Sequence, residues 1–423
     1  MLPWRMAERP FQEPNEGRRV GLVLSGGGAR GAYEAGVLRY IYGPLADRLG
    51  FTPRIDIYSG ASVGAVHTTF LAANSHEPDG GTDVLARIWA EMNFSSVYKF
   101  ELRDLFRFGG AVIGSLLGRQ DDVAVRRERL SGLLNTSPLE RLVMSRVPWR
   151  ALRRNLRQGR FEALSVSTTE VATGRTVVFV DTQTREIPRW TRDPQQVARA
   201  SRISPKHPLA SAAIPLLFPA VRIGRTFYVD GTLRLHTPLT PALRLGSNRL
   251  LIIGLRSPKV AKLEDPFAQE RRGQARSAGY LAGKMLNAFL IDRLESDVAQ
   301  MRVLNEALRA GRQEYGPEFL ERINPHVAEQ RGIGFHIVDE CFVRPSQDIG
   351  QIASENVDRL RKKPKESWIG SLAFRFLTRG APQGEADLMS YLMFDSGYSN
   401  DLLELGARDA AAQEEEIARV FLD

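Results

Sequence analysis

Cysteine is almost missing from this chain, with Cys341 alone among 423 residues. A single cysteine excludes an intramolecular disulfide and any metal cluster built on cysteines, and it fits a reducing compartment. Lysine is also scarce, with 8 Lys against 50 Arg in a formal charge of +9. A bias that one-sided reflects coding composition more readily than a nucleic-acid partner, so no nucleic acid is expected. Long apolar runs are lacking too. The longest stretch free of Asp, Glu, Lys and Arg is Ile57 to His76, and its glycines, serines, threonines and histidines make it too polar to span a membrane. The first residues, Met-Leu-Pro-Trp-Arg-Met-Ala-Glu-Arg-Pro-Phe, mix charge and proline where a signal peptide needs an unbroken apolar segment. Sec-type export is therefore not expected, and the expected location is cytoplasmic, soluble or peripheral to a membrane. Repeats, low-complexity tracts, calcium loops, P-loops and HExxH patterns are absent as well, so neither metal nor cofactor is required.

The remaining composition, 43% hydrophobic and 25% charged, is that of an ordinary globular protein with length for a large core. A polar leader carrying Pro3, Pro10 and Pro14 ends near Gly17, and Val20 to Leu24 reads as a buried strand. Ala32 to Leu49 follows as a helix with apolar positions at Ala35, Val37, Leu38 and Ile41. Ile55 to Tyr58 is a second short strand and Val63 to Ala73 a second helix. Strand, helix, strand, helix predicts an α/β fold with a parallel sheet covered by helices. Residues 84–160 are mostly helical in character, interrupted by the glycine-broken run Phe108 to Gly118. Strands at Ala163 to Thr169, Thr176 to Asp181, Phe227 to Val229 and Arg249 to Leu255 carry the sheet to about residue 256. Beyond it an amphipathic helix is marked by Leu281, Met285, Phe289, Leu294, Val298, Met301, Leu304 and Leu308. One strand-like run, Ile333 to Val343, precedes a helical C-terminus. The expected division is a leader over 1–17, an α/β domain over 18–258 and a mainly helical region over 259–423 packed on that domain.

Three elements carry chemistry. The first is Gly26-Gly27-Gly28-Ala29-Arg30-Gly31, where a strand delivers unpaired backbone N–H groups to a helix start, a site for negative charge. The anion there is either a cofactor phosphate or an oxyanion formed during a reaction. Gly26, Gly28 and Gly31 also satisfy the dinucleotide fingerprint, but that reading wants an acidic residue closing the second strand, and Asp56 stands at its start. The second is Gly60-Ala61-Ser62-Val63-Gly64, a Gly-x-Ser-x-Gly match whose small flanks let the chain turn sharply and expose Ser62 Oγ. Roughly 0.2 such matches arise by chance in a chain of this composition, so the strand-turn-helix setting carries the argument. The third is Asp230 in Phe227-Tyr-Val-Asp-Gly-Thr232, a carboxylate presented where a short apolar strand stops. Of six histidines, His326 and His336 come late enough for the order of an α/β-hydrolase, but neither stands in a recognisable catalytic loop.

These elements in this order, with Ala210-Ser-Ala-Ala-Ile-Pro-Leu-Leu-Phe-Pro-Ala-Val221 ahead of Asp230, resemble the patatin-like phospholipase family over about residues 18–256. The resemblance continues through Leu290 to Asn305, Phe342 to Asp348 and Asp387 to Asp395, as in bacterial members. It implies a three-layer fold with a mostly parallel sheet, and a serine–aspartate dyad without histidine. By this resemblance Ser62 is the nucleophile and Asp230 takes its proton. The amides of Gly26, Gly27 and Gly28 stabilise the oxyanion, and Arg30 orients that loop or neutralises charge there. The substrate it implies is a phospholipid or another lipid ester, cleaved in the manner of a phospholipase A or lysophospholipase. Two departures stand out. His67 replaces the small or amide residue usual on the nucleophile helix, reading as a packed residue with a proton relay as the lesser alternative, and Thr232 follows Asp-Gly where Gly or Ala is common.

Two further segments keep two readings each. Arg141 to Arg160 holds seven arginines and no acid, interleaved with Leu142, Val143, Val147, Trp149, Leu152 and Leu156. It is either a dock for anionic headgroups or a solvated face over a core-facing stripe. Phe106 to Leu117 is either an apolar flap over the acyl site or a buried helix. Two other functions remain open on the sequence: a dinucleotide-binding oxidoreductase, and a non-catalytic lipid-binding regulatory module.

Overall fold

The computed structural model describes residues 9–15, 17–99, 134–188, 190, 193–215, 217–231, 237–258, 292–362 and 386–422. Phe106 to Leu117, Thr232, His236 and residues 281–289, the first part of the amphipathic helix expected from the sequence, lie outside them. Val20–Leu24 (β1) is buried at all five positions, as a strand covered on both faces must be. Its alternation sorts the core: Leu22 and Leu24 join one apolar cluster, Val23 the other. A 3₁₀ turn, Gly28–Arg30, leads into α1 (Gly31–Tyr40), a π-turn at Ile41–Leu45 and α2 (Ala46–Leu49). The expected single helix is thus one run widened at Pro44, which has no N–H to give to the preceding turn.

The second strand, β2 (Ile57–Ala61), starts later than predicted because Asp56 uses its carboxylate to accept the Val20 N–H at 2.9 Å. It is followed by α3 (Val63–Ala73), α4 (Thr82–Ala90), α5 (Phe94–Val97), α6 (Ser137–Arg146) and α7 (Trp149–Arg157). Next come β3 (Ala163–Glu170), β4 (Thr176–Thr182), β5 (Gln196–Ala200), α8 (Lys206–Ser211), β6 (Val221–Ile223), β7 (Thr226–Asp230), α9 (Leu239–Arg244) and β8 (Arg249–Ile253). The chain closes with α10 (Asp292–Tyr315), α11 (Phe319–Arg331), β9 (Asp339–Val343), α12 (Ile349–Lys362), α13 (Ala386–Leu392), α14 (Ser396–Ala412) and α15 (Glu414–Phe421).

The strands form one sheet in the order β5-β4-β3-β2-β1-β8-β9, with the β6–β7 hairpin joined to β3. Most neighbours are parallel, the exceptions being β3–β4, β3–β7 and β6–β7. On one face lie α1, α3 and the helices α12 to α15; on the other, Leu239, Leu294, Val298 and Met301 of α9 and α10 pack on Val23, Leu250 and Ile252. This is the expected architecture, a mostly parallel sheet between helical layers. The sheet does not stop near residue 256, because β9 pairs with β8 along its whole length. Residues 333–338 run beside it without joining a ladder, since the Asn324 side chain takes both the N–H (2.6 Å) and the C=O (3.0 Å) of Phe335. Strands β5 and β6 escaped the sequence reading because one is a half-exposed edge and the other only three residues long.

Candidate active site

β2 ends at Ala61 and α3 begins at Val63, so the whole reversal falls on Ser62, whose φ is 53°. A non-glycine residue in that region is strained, and the surroundings must hold it there. They do so through small neighbours: a Cβ on Gly64 would sit 2.3 Å from the Leu24 carbonyl oxygen, and one on Gly60 2.4 Å from that of Gly64. The Ser62 N–H donates to Ser211 Oγ (2.9 Å), whose hydroxyl donates to the Ser167 carbonyl (2.6 Å). Ser211, at the end of α8, was not singled out by the sequence; its motif Ala210-Ser-Ala-Ala-Ile-Pro was visible, but its contact with an elbow 149 residues earlier was not.

The sheet register brings the aspartate to the same spot. Ala61 is the last residue of β2 beside β3, opposite Ser167. The next position on β3, Thr168, pairs with Val177 of β4 on one side and Asp230 of β7 on the other. β2 and β7 therefore meet head to head along one edge of β3, with Ser62 leaving the strand where Asp230 occupies the next rung. Asp230 is fully buried, and its N–H donates to Ala213 O at 2.9 Å, tying it to the segment that also holds Ser62.

The glycine loop crosses the same end of the sheet. Gly28 has φ +55°, and a Cβ there would lie 2.3 Å from the carbonyl oxygen of Tyr391. The Gly27 and Gly28 amides open the 3₁₀ turn and form no backbone hydrogen bonds among the described residues. Arg30 is buried and turned toward the C-terminal region, its Nε donating to Ser390 Oγ (2.8 Å) and its guanidinium lying 4.2 Å from the Tyr391 ring centre.

A narrow apolar pocket opens beside Ser62, walled by Val66, Phe70, Ile88, Trp89, Met92, Leu142, Phe218 and Phe394. Arg146 and Val147 of the arginine-rich segment also line it. His67 reaches this pocket, but both its nitrogens are engaged. The Trp89 indole N–H donates to Nε2 (2.9 Å), so the proton sits on Nδ1 and is given to Glu34 (2.7 Å). Burial pushes the Glu34 carboxyl up, and the bond from His67 pulls it back. His67 is thus a packed residue, as expected.

The other histidines stand elsewhere. His207 accepts the Ser204 N–H at 3.0 Å, and burial pushes its imidazole down to about 4. His76 contacts Asn155 and Glu77. His336 bonds the Ser247 carbonyl at the entry of β8, the end of the parallel sheet opposite Ser62, and His326 is exposed on α11. The ribose-holding acid of a dinucleotide site is also missing. Asp56 is occupied by Val20 and by Arg54 (2.5 Å), and β2 ends in Ser59-Gly60-Ala61, where Ser59 Oγ donates to Pro238 O (2.6 Å). No group of three or more metal-ligating side chains occurs among the described residues.

Fold and candidate site together give an α/β protein whose glycine loop and Ser62 lie at the carboxyl ends of the parallel strands β1 and β2. A family model described as patatin-like phospholipase matches residues 22–243, just over half the chain, and the chain belongs to that family. It is a lipid hydrolase. Among solved structures it is similar to VipD from Legionella pneumophila (14% identity, covering 96% of this chain and 72% of that one, TM-score 0.28). It is also similar to human GIVD cytosolic phospholipase A2 in complex with methyl gamma-linolenyl fluorophosphonate (12% identity, 96% and 58%, TM-score 0.39). A third is the ExoU–SpcU complex from the type III secretion system of Pseudomonas aeruginosa (15% identity, 97% and 77%, TM-score 0.28). No curated protein matches. The assignment rests on the family model, and it supersedes the oxidoreductase reading.

Proposed function

We propose that this protein is a serine lipid acyl hydrolase of phospholipase A or lysophospholipase type, working through a Ser62–Asp230 dyad and a glycine-loop oxyanion hole. Ser62 Oγ attacks the ester carbonyl while Asp230 takes its proton. The Gly26, Gly27 and Gly28 amides stabilise the tetrahedral oxyanion, each donor contributing about 3 kcal/mol. Collapse returns the proton to the departing alcohol, and water activated by Asp230 then releases the fatty acid. The observation that carries this reading is the head-to-head meeting of β2 and β7 at adjacent positions along β3, where one strained serine leaves β2 and one buried aspartate ends β7. The engagement of both His67 nitrogens supports it further, because no described histidine is left to serve as the base. Arg30 acts by holding the loop.

A fluorophosphonate probe followed by peptide mass spectrometry tests the nucleophile: the adduct is expected on Ser62. Ser62→Ala and Asp230→Asn are each expected to lower kcat at least about 10³-fold with native circular dichroism. Absence of an adduct in folded wild-type protein would favour the non-catalytic lipid-binding module. Near-normal turnover in Asp230→Asn would remove the dyad.

The same reading extends to the lipid surface. α6 lines the Ser62 pocket with Leu139, Leu142 and Val143 while exposing Arg141, Met144 and Arg146. α7 buries Leu152 and Leu156 and exposes Arg150, Arg153, Arg154 and Arg157. A cationic face beside the pocket suits docking on anionic headgroups with an acyl chain entering between the helices. Among the described residues no helix is long and apolar enough to cross a membrane.

A further inference from the structure

We propose that residues 390–394, more than 140 residues beyond the end of the matched family region, complete the active site. Ser390 and Tyr391 fix the glycine loop through Arg30, and Phe394 closes the acyl pocket. The inference rests on the glycine loop acting as the oxyanion hole.

A loop of three glycines is the most permissive backbone a chain can have, yet oxyanion donors must stand about 2.7 to 3.1 Å from a developing charge. Something outside the loop has to hold it. On one side is Leu255, just after β8, against which a Cβ on Gly27 would collide at 2.3 Å. On the other is the backbone of Tyr391, in contact with Gly28. Arg30 locks that second contact: its Nε donates to Ser390 Oγ at 2.8 Å and its guanidinium stacks over the Tyr391 ring, both residues being wholly buried. A planar guanidinium can stack and donate together, which an ammonium cannot.

The segment is itself pinned. Tyr98 donates its hydroxyl to Leu392 O (2.8 Å), and Tyr398 donates to Ser390 O (3.2 Å). Phe394 then stacks on Trp89 with ring centres 6.1 Å apart, meets Tyr98 edge-on at 6.0 Å, and lines the cavity beside Ser62. Residues 390–394 therefore touch both halves of the chemistry, the loop that would bind the oxyanion and the wall that would hold the acyl chain.

The test uses full-length protein, with fluorophosphonate titration giving the concentration of active sites. Ser390→Ala, which removes one hydroxyl, and Arg30→Lys are each expected to lower kcat per titrated site about tenfold for a soluble short-chain ester. KM should stay within about twofold, and the rate of Ser62 phosphonylation should fall by the same factor as kcat. Phe394→Ala is expected to raise KM for long-chain esters about tenfold and for short-chain esters by a smaller factor, because fewer of their carbons reach that wall. A purely structural role would lower thermal midpoints and leave kcat per site unchanged, and that result would overturn the proposal. Failure of wild-type protein to label at Ser62 would instead overturn the hydrolase mechanism and this inference with it.

Discussion

Ser62 and His207 show how differently two buried polar residues can be placed. Ser62 is held in a costly φ by its neighbours' smallness, and the chain could be read for it, because a sharp strand-to-helix turn tolerates few residue types on either side. His207 is held neutral, with burial pushing its imidazole down to about 4. An unfolded histidine titrates near 6.5, so between pH 6.5 and about 4 the unfolded chain binds a proton that the native chain refuses. Stability from this group is therefore present above pH 6.5 and is lost as pH falls through that window, by on the order of 3 kcal/mol in full. Urea unfolding at pH 7 and pH 4.5 should show His207→Gln losing less stability than wild type between the two. Equal losses would mean that His207 carries a proton in the native state. Ser211, Glu34 and Ser390 were not legible at this scale, since their partners lie 149, 33 and 360 residues away.

At the scale of elements, the sequence predicted β1 and the helix that follows Ser62 to the residue, because a buried apolar strand and a glycine-flanked helix start have sharp edges. It could not foresee the π-turn at Pro44, nor that β2 would give up two residues so that Asp56 could bond Val20. The arginine segment resolves into two helices with apolar residues inward and arginines outward. Each such arginine near an anionic surface is worth about 1 kcal/mol. Replacing Arg150, Arg153 and Arg154 by Gln should weaken binding to phosphatidylglycerol vesicles roughly 100-fold, with little change on phosphatidylcholine. Raising the salt should weaken the wild type in the same way. Vesicle binding indifferent to salt and lipid charge would remove the docking proposal.

At the scale of the molecule, the α/β region and the C-terminal region share one sheet and one core. β9 extends the sheet past β8, and α14 crosses α1 closely enough that a Cβ on Gly36 or Gly406 would strike the other helix's backbone at 2.2 to 2.3 Å. Asp409 accepts from the Tyr33 hydroxyl (3.1 Å) and the Ser346 N–H (2.9 Å) at that crossing. Tyr398, Leu402, Leu405, Ile417 and Phe421 are all fully buried. Burying five such side chains is worth about 10 kcal/mol, comparable with the whole net stability of a domain. A chain ending at residue 258 should accordingly be insoluble or molten, checked by near-ultraviolet circular dichroism and gel filtration. A soluble, native-like fragment would show that the two regions fold independently.

By itself the sequence determined the order of strands and helices around the motifs, the strained serine, the glycine loop and the carboxylate at a strand end. Each of these is local, set by glycine, small residues and apolar periodicity within a dozen positions. Only the tertiary structure decided that β2 ends just before Ser62 beside the β3 position that Asp230 faces, that His67 is spent on Glu34 and Trp89, and that Arg30 faces Ser390 and Tyr391. Those pairings join residues tens to hundreds of positions apart, and their register comes from sheet pairing and helix packing rather than from any pattern along the chain.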